Sequence, residues 1–164
     1  MTNNFLFEAD LAAKKIHVVR EFNAPIEKVW KAFTDPELLE KWTAPKPWTA
    51  KFKTFDFTVG GISLYAMVSP EGQQHWVYAQ FTAIEDGSAI SSFGVFCDAD
   101  GNPALDGSKS YRDTKFSSID GNRTKVDTVI TFEEESTIQW FVDGGFKEGT
   151  AATFDYLDEV LASE

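Results

Sequence analysis

His17 and His75 are the only histidines in the chain, and Cys97 is its only cysteine. Nucleophilic catalysis needs a Ser or Cys with a base beside it, and no Ser stands in a G-x-S-x-G elbow. Cys97 has no identifiable His and Asn partners, so it reads as a packed thiol at a strand end. His17 falls in a short β-rich run and reads as a sheet or surface histidine. His75, next to Trp76 and close to a turn, is the better acid–base candidate. The run Asp98-Ala99-Asp100-Gly101-Asn102 starts like a calcium loop. Pro103 then stands where the loop needs Gly, and Lys109 where it needs Glu. No Cys/His set has zinc spacing. Gly60-Gly61 lacks the strand-to-helix setting of a phosphate loop, and Glu133–Glu135 reads as a solvated acidic run opening a helix. The expectation is no catalytic residue, no metal and no cofactor.

Binding is the chemistry that remains. Fifteen Phe, five Trp and four Tyr make the chain 15% aromatic, enough to line a cavity as well as fill a core. Tyr65, Met67, Trp76 and Tyr78 are the candidate wall residues, with Thr150, Phe154 and Leu157 facing them from a helix. Each could be ordinary core. As a set they favour a pocket, because tyrosine hydroxyls in an aromatic wall need partners that a ligand could supply. Trp30, Phe33, Leu39 and Trp42 read as structural.

The elements that position these residues follow from hydrophobic periodicity. In Gly145–Leu161, Phe146, Thr150, Thr153, Phe154, Leu157, Val160 and Leu161 recur at helical intervals, with Glu148, Asp155, Asp158 and Glu159 mostly opposite. Lys15–Phe22 is a short strand ended by Ala24-Pro25, and Pro25 suits the first position of a helix carrying Ile26, Val29, Trp30 and Phe33. Thr34 or Asp35 caps a second helix, with Glu37 in capping-box position; Leu38, Leu39 and Trp42 are its apolar side. Residues 1–14 give no clear element, although Phe5, Leu6 and Phe7 could dock as an extended arm.

From Thr49 to Phe132 the period is two. Pro70-Glu71-Gly72-Gln73 reads as a four-residue hairpin loop, which pairs Met67 with Trp76 and Tyr65 with Tyr78 on one face. Asp98–Lys115 reads as a long polar loop, a candidate lid, running into a strand at Arg112–Ile119. Arg123–Phe132 alternates cleanly. Glu133–Glu135 then leads into a short helical turn with Ile138, Phe141 and Val142.

Lys plus Arg total 15 against 26 Asp plus Glu, a net charge of −11. That field repels phosphate backbones and anionic lipid, so neither nucleic acid nor a membrane surface is an expected partner. A single cysteine permits no internal disulfide, and the N-terminus has neither the basic start nor the apolar length of a signal peptide. The expectation is one cytoplasmic domain over residues 1–164, with its core at about 15–162.

Arg20-Glu21-Phe22-Asn23-Ala24-Pro25, Val29-Trp30 and Thr34-Asp35-Pro36-Glu37-Leu38-Leu39 with Trp42 resemble a known opening motif. It belongs to the family related to the C-terminal domain of the activator of the heat-shock-protein-90 ATPase, in the START-like (SRPBCC) superfamily. Gly60-Gly61, and Gly145-Phe146 with Glu148-Gly149 and Leu157, look like two further signatures. The resemblance implies an α+β helix-grip fold: about seven antiparallel strands curved around a long C-terminal helix, with two short helices after the first strand. It also implies a deep apolar cavity between sheet and helix. Thr43 and Thr150 stand where the family often has Trp, which should reshape that cavity unless Trp48 or Trp76 refills it.

The leading functional expectation is non-enzymatic binding of a hydrophobic or aromatic small molecule, lipid-like or polyketide-like, in that cavity. A second is a protein-interaction module resembling the chaperone activator. A third is a cyclase- or hydrolase-like enzyme using His75, Tyr65 or Tyr78. Ile62, Leu64 and Val68, opposite in parity to Tyr65 and Met67, make the outer sheet face apolar and suggest a homodimer through it.

Overall fold

The computed structural model describes residues 5–44, 46–98, 102 and 109–163. In chain order the strands are β1 Phe5–Asp10, β2 Lys15–Phe22, β3 Thr49–Phe55, β4 Ile62–Val68, β5 Gln74–Glu85, β6 Ala89–Cys97, β7 Ser110–Asp120 and β8 Arg123–Phe132. Helices α1 Ile26–Thr34 and α2 Pro36–Trp42 follow β2, and α3 Glu135–Asp143 and α4 Phe146–Ser163 end the chain. The strands form one antiparallel sheet in the order β1-β2-β8-β7-β6-β5-β4-β3. The expected α+β helix-grip architecture is present, with one strand more than read from the sequence. That strand is β1, whose residues pair in register from Phe5 with Arg20 to Asp10 with Lys15. Three or four apolar residues carry little periodic signal on their own. Tertiary contact decides the matter: the Phe5 ring packs edge-on to Phe154, and Phe7 edge-on to Phe146.

Pro25 sits at the N-cap of α1 with extended backbone, one residue before the helix proper. Asp35 caps α2, its Oδ1 accepting from the Glu37 N–H at 2.9 Å. The Trp42 indole N–H donates to the Ala32 carbonyl at 3.1 Å, and the Phe33 and Trp42 rings lie 4.9 Å apart. These contacts fix the corner between α1 and α2. Glu40 accepts from the Phe52 N–H at 2.8 Å, tying α2 to the sheet edge at β3. Among the described residues no helix is long and apolar enough to cross a membrane, which says nothing about strands.

The packed core is lopsided. Its buried members are Ile16, Val18 and Phe22 of β2, Val126, Ile130 and Phe132 of β8, Phe116 of β7, and residues of the helices and the β2–α1 link. Among the described residues, no buried residue of β3, β4, β5 or β6 belongs to it. Helix α4 therefore seals one half of the concave face and stands off the other.

Arg20 anchors that placement. It lies on the buried face of β2, and its guanidinium donates to Asp155 at 3.0 Å and Asp158 at 2.8 Å on α4. Its side chain is 8% exposed, whereas those of Asp155 and Asp158 are 71% and 30% exposed. The cation carries most of the desolvation, and either carboxylate can satisfy much of it. Asp155→Asn alone should cost well under ~1 kcal/mol, as for a screened surface pair. Asp155→Asn with Asp158→Asn should cost about 3 kcal/mol, because it strands a buried cation. Urea denaturation of the two single variants and the double variant measures this, and simple additivity would show that the guanidinium is satisfied elsewhere.

Candidate functional site

The β4–β5 hairpin decides which side chains meet. Gly72 takes a left-handed conformation (φ 88°) that closes a three-residue loop, Pro70-Glu71-Gly72, with the Ser69 N–H on the Gln73 carbonyl at 2.9 Å. The pairs are Met67 with His75, Tyr65 with Val77, Ala66 with Trp76 and Leu64 with Tyr78. The four-residue loop expected from the sequence is thus one residue too long, and a one-residue slip moves a strand's side chains to the other face. Trp76 and Tyr78 lie on the outer face, away from Tyr65 and Met67. This corrects their assignment to the cavity wall.

The same alternation identifies the concave face across the open half of the sheet. It carries Ala50, Phe52 and Phe55 from β3, Ser63, Tyr65 and Met67 from β4, and His75, Val77, Ala79 and Phe81 from β5. Ile90, Ser92 and Gly94 from β6 and Arg112, Thr114 and Phe116 from β7 complete it. A bulge at Lys53 puts Phe52 and Phe55 on one face although two residues lie between them. Their rings lie 5.6 Å apart, with Tyr65 4.8 Å from Phe52 and Phe81 5.9 Å from Phe55. Gly61 lets the β3–β4 turn close against this group, since a Cβ there would lie 2.3 Å from the Asp56 carbonyl. At the other end Trp30 stacks edge-on between Phe57 and Phe116.

Ala50, Ser63, Phe81, Thr114 and Phe116 are buried, but other side chains on this face are not covered. Phe52, Phe55, Tyr65, Met67, Val77, Ala79 and Ser92 are all half-buried, and Arg112 is exposed. On the sealed half, Ile16, Ile130 and Phe132 are at or below 2%. That part of the concave face stays partly accessible. Two surface depressions lie elsewhere: one of about 150 Å³ among α1, α2 and α4, and an open shelf between the β1–β2 turn and α3.

Arg112 is the residue that the sequence reading missed, because it was placed at the end of a long loop. Strand β7 begins at Ser110, so residues 110–115 belong to the sheet, and the expected lid falls mostly at 99–108, outside the described residues apart from Asn102. Arg112 pairs with Ile130 on one side and Ser92 on the other. It makes no hydrogen bond or ion pair among the described residues. Desolvation by the surrounding protein lowers its pKa from the ordinary guanidinium value, partly offset by Tyr65.

The Tyr65 phenol is pushed up, chiefly by burial, with Arg112 opposing the shift. It therefore keeps its proton at neutral pH and can act as a donor. His75 is exposed, its ring 5.2 Å from that of Trp48. His17 bonds Asp127 at 2.9 Å on the outer face.

The helix candidates divide. Thr150 is half-buried near the start of α4. Phe154 packs against Phe5, Phe22 and Trp42, and Leu157 is fully buried in the same core. Those two hold the helix on the sealed half. Thr43 closes the end of α2 by donating to the Leu39 carbonyl at 2.6 Å. Trp48 lies on the cavity side against His75, whereas Trp76 cannot refill a missing indole from the outer face. No group of metal-binding side chains occurs among the described residues.

Residues 23–162 match the model of the family described as Activator of Hsp90 ATPase homolog 1-like protein. Among solved structures, an Arthrobacter aurescens protein is 32% identical, with 97% of this chain and 92% of that one aligned at a TM-score of 0.88. A Mycobacterium smegmatis protein is 27% identical over 99% of both chains, at 0.87. The AHSA1 protein of Silicibacter pomeroyi, at 20% identity, covers 90% of this chain and 97% of its own at 0.70, a likeness of fold. No curated protein matches the chain significantly.

Cys97 pairs with Trp76 on the outer face and is half-buried. Burial, and then the Asp98 carboxylate, push its thiol pKa up. At any pH below that value less thiolate is present than in a free cysteine. Iodoacetamide should therefore alkylate Cys97 severalfold more slowly than a cysteine peptide at pH 7.5, and Asp98→Asn should speed it slightly. An alkylation rate matching the peptide's would contradict the described environment.

Proposed function

Because this chain belongs to the family of Activator of Hsp90 ATPase homolog 1-like proteins, we propose that it is a binding module of the helix-grip type. It holds a hydrophobic or aromatic small molecule against the concave face of β3–β7. One observation carries this reading: seven inward-facing residues, from Phe52 to Ser92, are left half-buried where the sealed half of the same sheet is close-packed. Protein interiors are normally packed without such gaps. An aromatic-lined recess with a few polar groups is the usual form of a small-molecule site. Of the groups considered for proton transfer, Tyr78 faces outward, His75 rests on Trp48, and Tyr65 holds its proton.

The protein-interaction reading draws on the outer face. There Tyr78, Phe93 and Tyr111 form a row across β5, β6 and β7, with ring centroids 6.4 and 6.3 Å apart. Leu64 and Val95 beneath them are 6% and 8% exposed within a single chain, so burying them needs no partner. Ile62 and Val68 remain half-exposed, and a homodimer through this face is the proposal for them. Sedimentation at micromolar concentration tests it: a dimer broken by Val68→Lys supports it, and a monomer sinks it.

The cavity reading is tested with the neutral dye N-phenylnaphthylamine, whose fluorescence rises in apolar surroundings. Saturable binding of one dye per chain is expected. Ala79→Trp, which fills the concave face, should weaken it at least tenfold. Tyr78→Trp, the neighbouring position on the outer face, should leave it within twofold. The opposite pattern would move the site to the outer face.

A further inference from the structure

The concave face of the described sheet carries two arginines, and the fold treats them differently. Arg20, on the sealed half, receives two carboxylates and the Phe154 carbonyl from α4. Arg112, on the open half, receives nothing. The concave positions of β2 to β8 hold no Asp or Glu at all, although acids outnumber bases 26 to 15 in the chain. Among the described residues, no carboxylate is supplied to Arg112.

Removing a guanidinium from bulk water is costly unless a charge-matched acceptor replaces the water. Arg112 stands on the same face as the aromatic group around Tyr65 and is exposed there, with desolvation by nearby protein lowering its pKa. Ser92 pairs with it and Thr114 follows two residues along the same strand, adding hydroxyl groups on the same face, and Tyr65 contributes a protonated phenol within electrostatic reach. These are donors for a planar oxyanion, with an apolar wall beside them.

We infer that the ligand of this cavity is an amphiphilic acid. Its single carboxylate pairs with Arg112, and its aromatic or aliphatic body lies against Phe52, Phe55, Tyr65 and Val77. The inference rests on the cavity reading above and adds the charge and polarity of what the cavity takes. A guanidinium with no internal counter-ion sets that charge, and the absence of any carboxylate on the concave face removes local repulsion. The net negative charge of the chain would slow the approach of an anion at long range, but it is screened within about 10 Å at ordinary salt.

The experiment compares naphthoate with naphthamide, two molecules of nearly the same shape that differ in charge. Each is titrated by calorimetry and by displacement of N-phenylnaphthylamine. Naphthoate should bind the natural protein at least tenfold more tightly than naphthamide, the scale of one charge-assisted pair. Raising the salt concentration should weaken naphthoate alone. Arg112→Gln should abolish the preference, and an unchanged circular dichroism spectrum and melting temperature would show that the variant is folded. Arg112→Lys should retain part of it.

Equal affinities in the natural protein, or a preference that survives Arg112→Gln, would overturn the acid inference and leave the cavity reading standing. Failure of the dye, naphthoate and naphthamide alike to bind would overturn the cavity reading and this inference together. If Arg112→Gln does not fold, the affinity ratio and its salt dependence in the natural protein decide the question.

Discussion

Arg20 reaches from the second strand to two carboxylates on the terminal helix, and the position of everything else over the sheet depends on it. The guanidinium is buried on the side of β2 that also carries Ile16, Val18 and Phe22. Helix α4 brings Asp155 and Asp158 to it, and one turn along sets Phe154 between Phe22 and Trp42. A helix held there packs on β1 and β2, while α1 and α3 lie against β8. An eight-stranded sheet is much wider than one helix, so the rest of its concave face must be covered by something else or remain open.

That geometry divides the labour within one sheet. The half beneath α4 is dry and close-packed, and mutations there should act through packing. The other half keeps its aromatic rings partly accessible and tethers its edge strand β3 to α2 through Glu40 and the Phe52 N–H. The sealed half gives a rigid frame, and the open half gives a surface whose chemistry can vary without unfolding the protein. This is how one fold hosts many ligands.

The outer face follows a different logic. An apolar face on an open antiparallel sheet normally invites a partner. Here Leu64, Ala66 and Val95 are covered by larger neighbours on the same face, including Trp76 and Tyr78. Lys53 and Lys109 lie over the rings of Trp76 and Phe93, so their stems add cover while their charges stay in water. The two aromatic residues first assigned to the cavity therefore act as a roof on the opposite side of the sheet.

Much of the architecture was legible in the sequence because its signals are local. The helical spacing of Phe146 to Leu161, the Asp35 cap with Pro36, and the strict alternation of β8 each need only a few consecutive residues to be read. The opening motif around Arg20 to Trp42 likewise placed the chain in its family. What only the tertiary structure decided was non-local. The single left-handed Gly72 sets the hairpin register, and one residue of slip exchanges the two faces, so Trp76 and Tyr78 left the cavity. Strand β1 exists because Phe5 and Phe7 find the α4 side of the core. Arg112 joined the concave face because β8 and β6 draw Ser110–Lys115 into the sheet. Pairing partners on separate strands leave no mark in local composition, and the face on which a side chain stands depends on them.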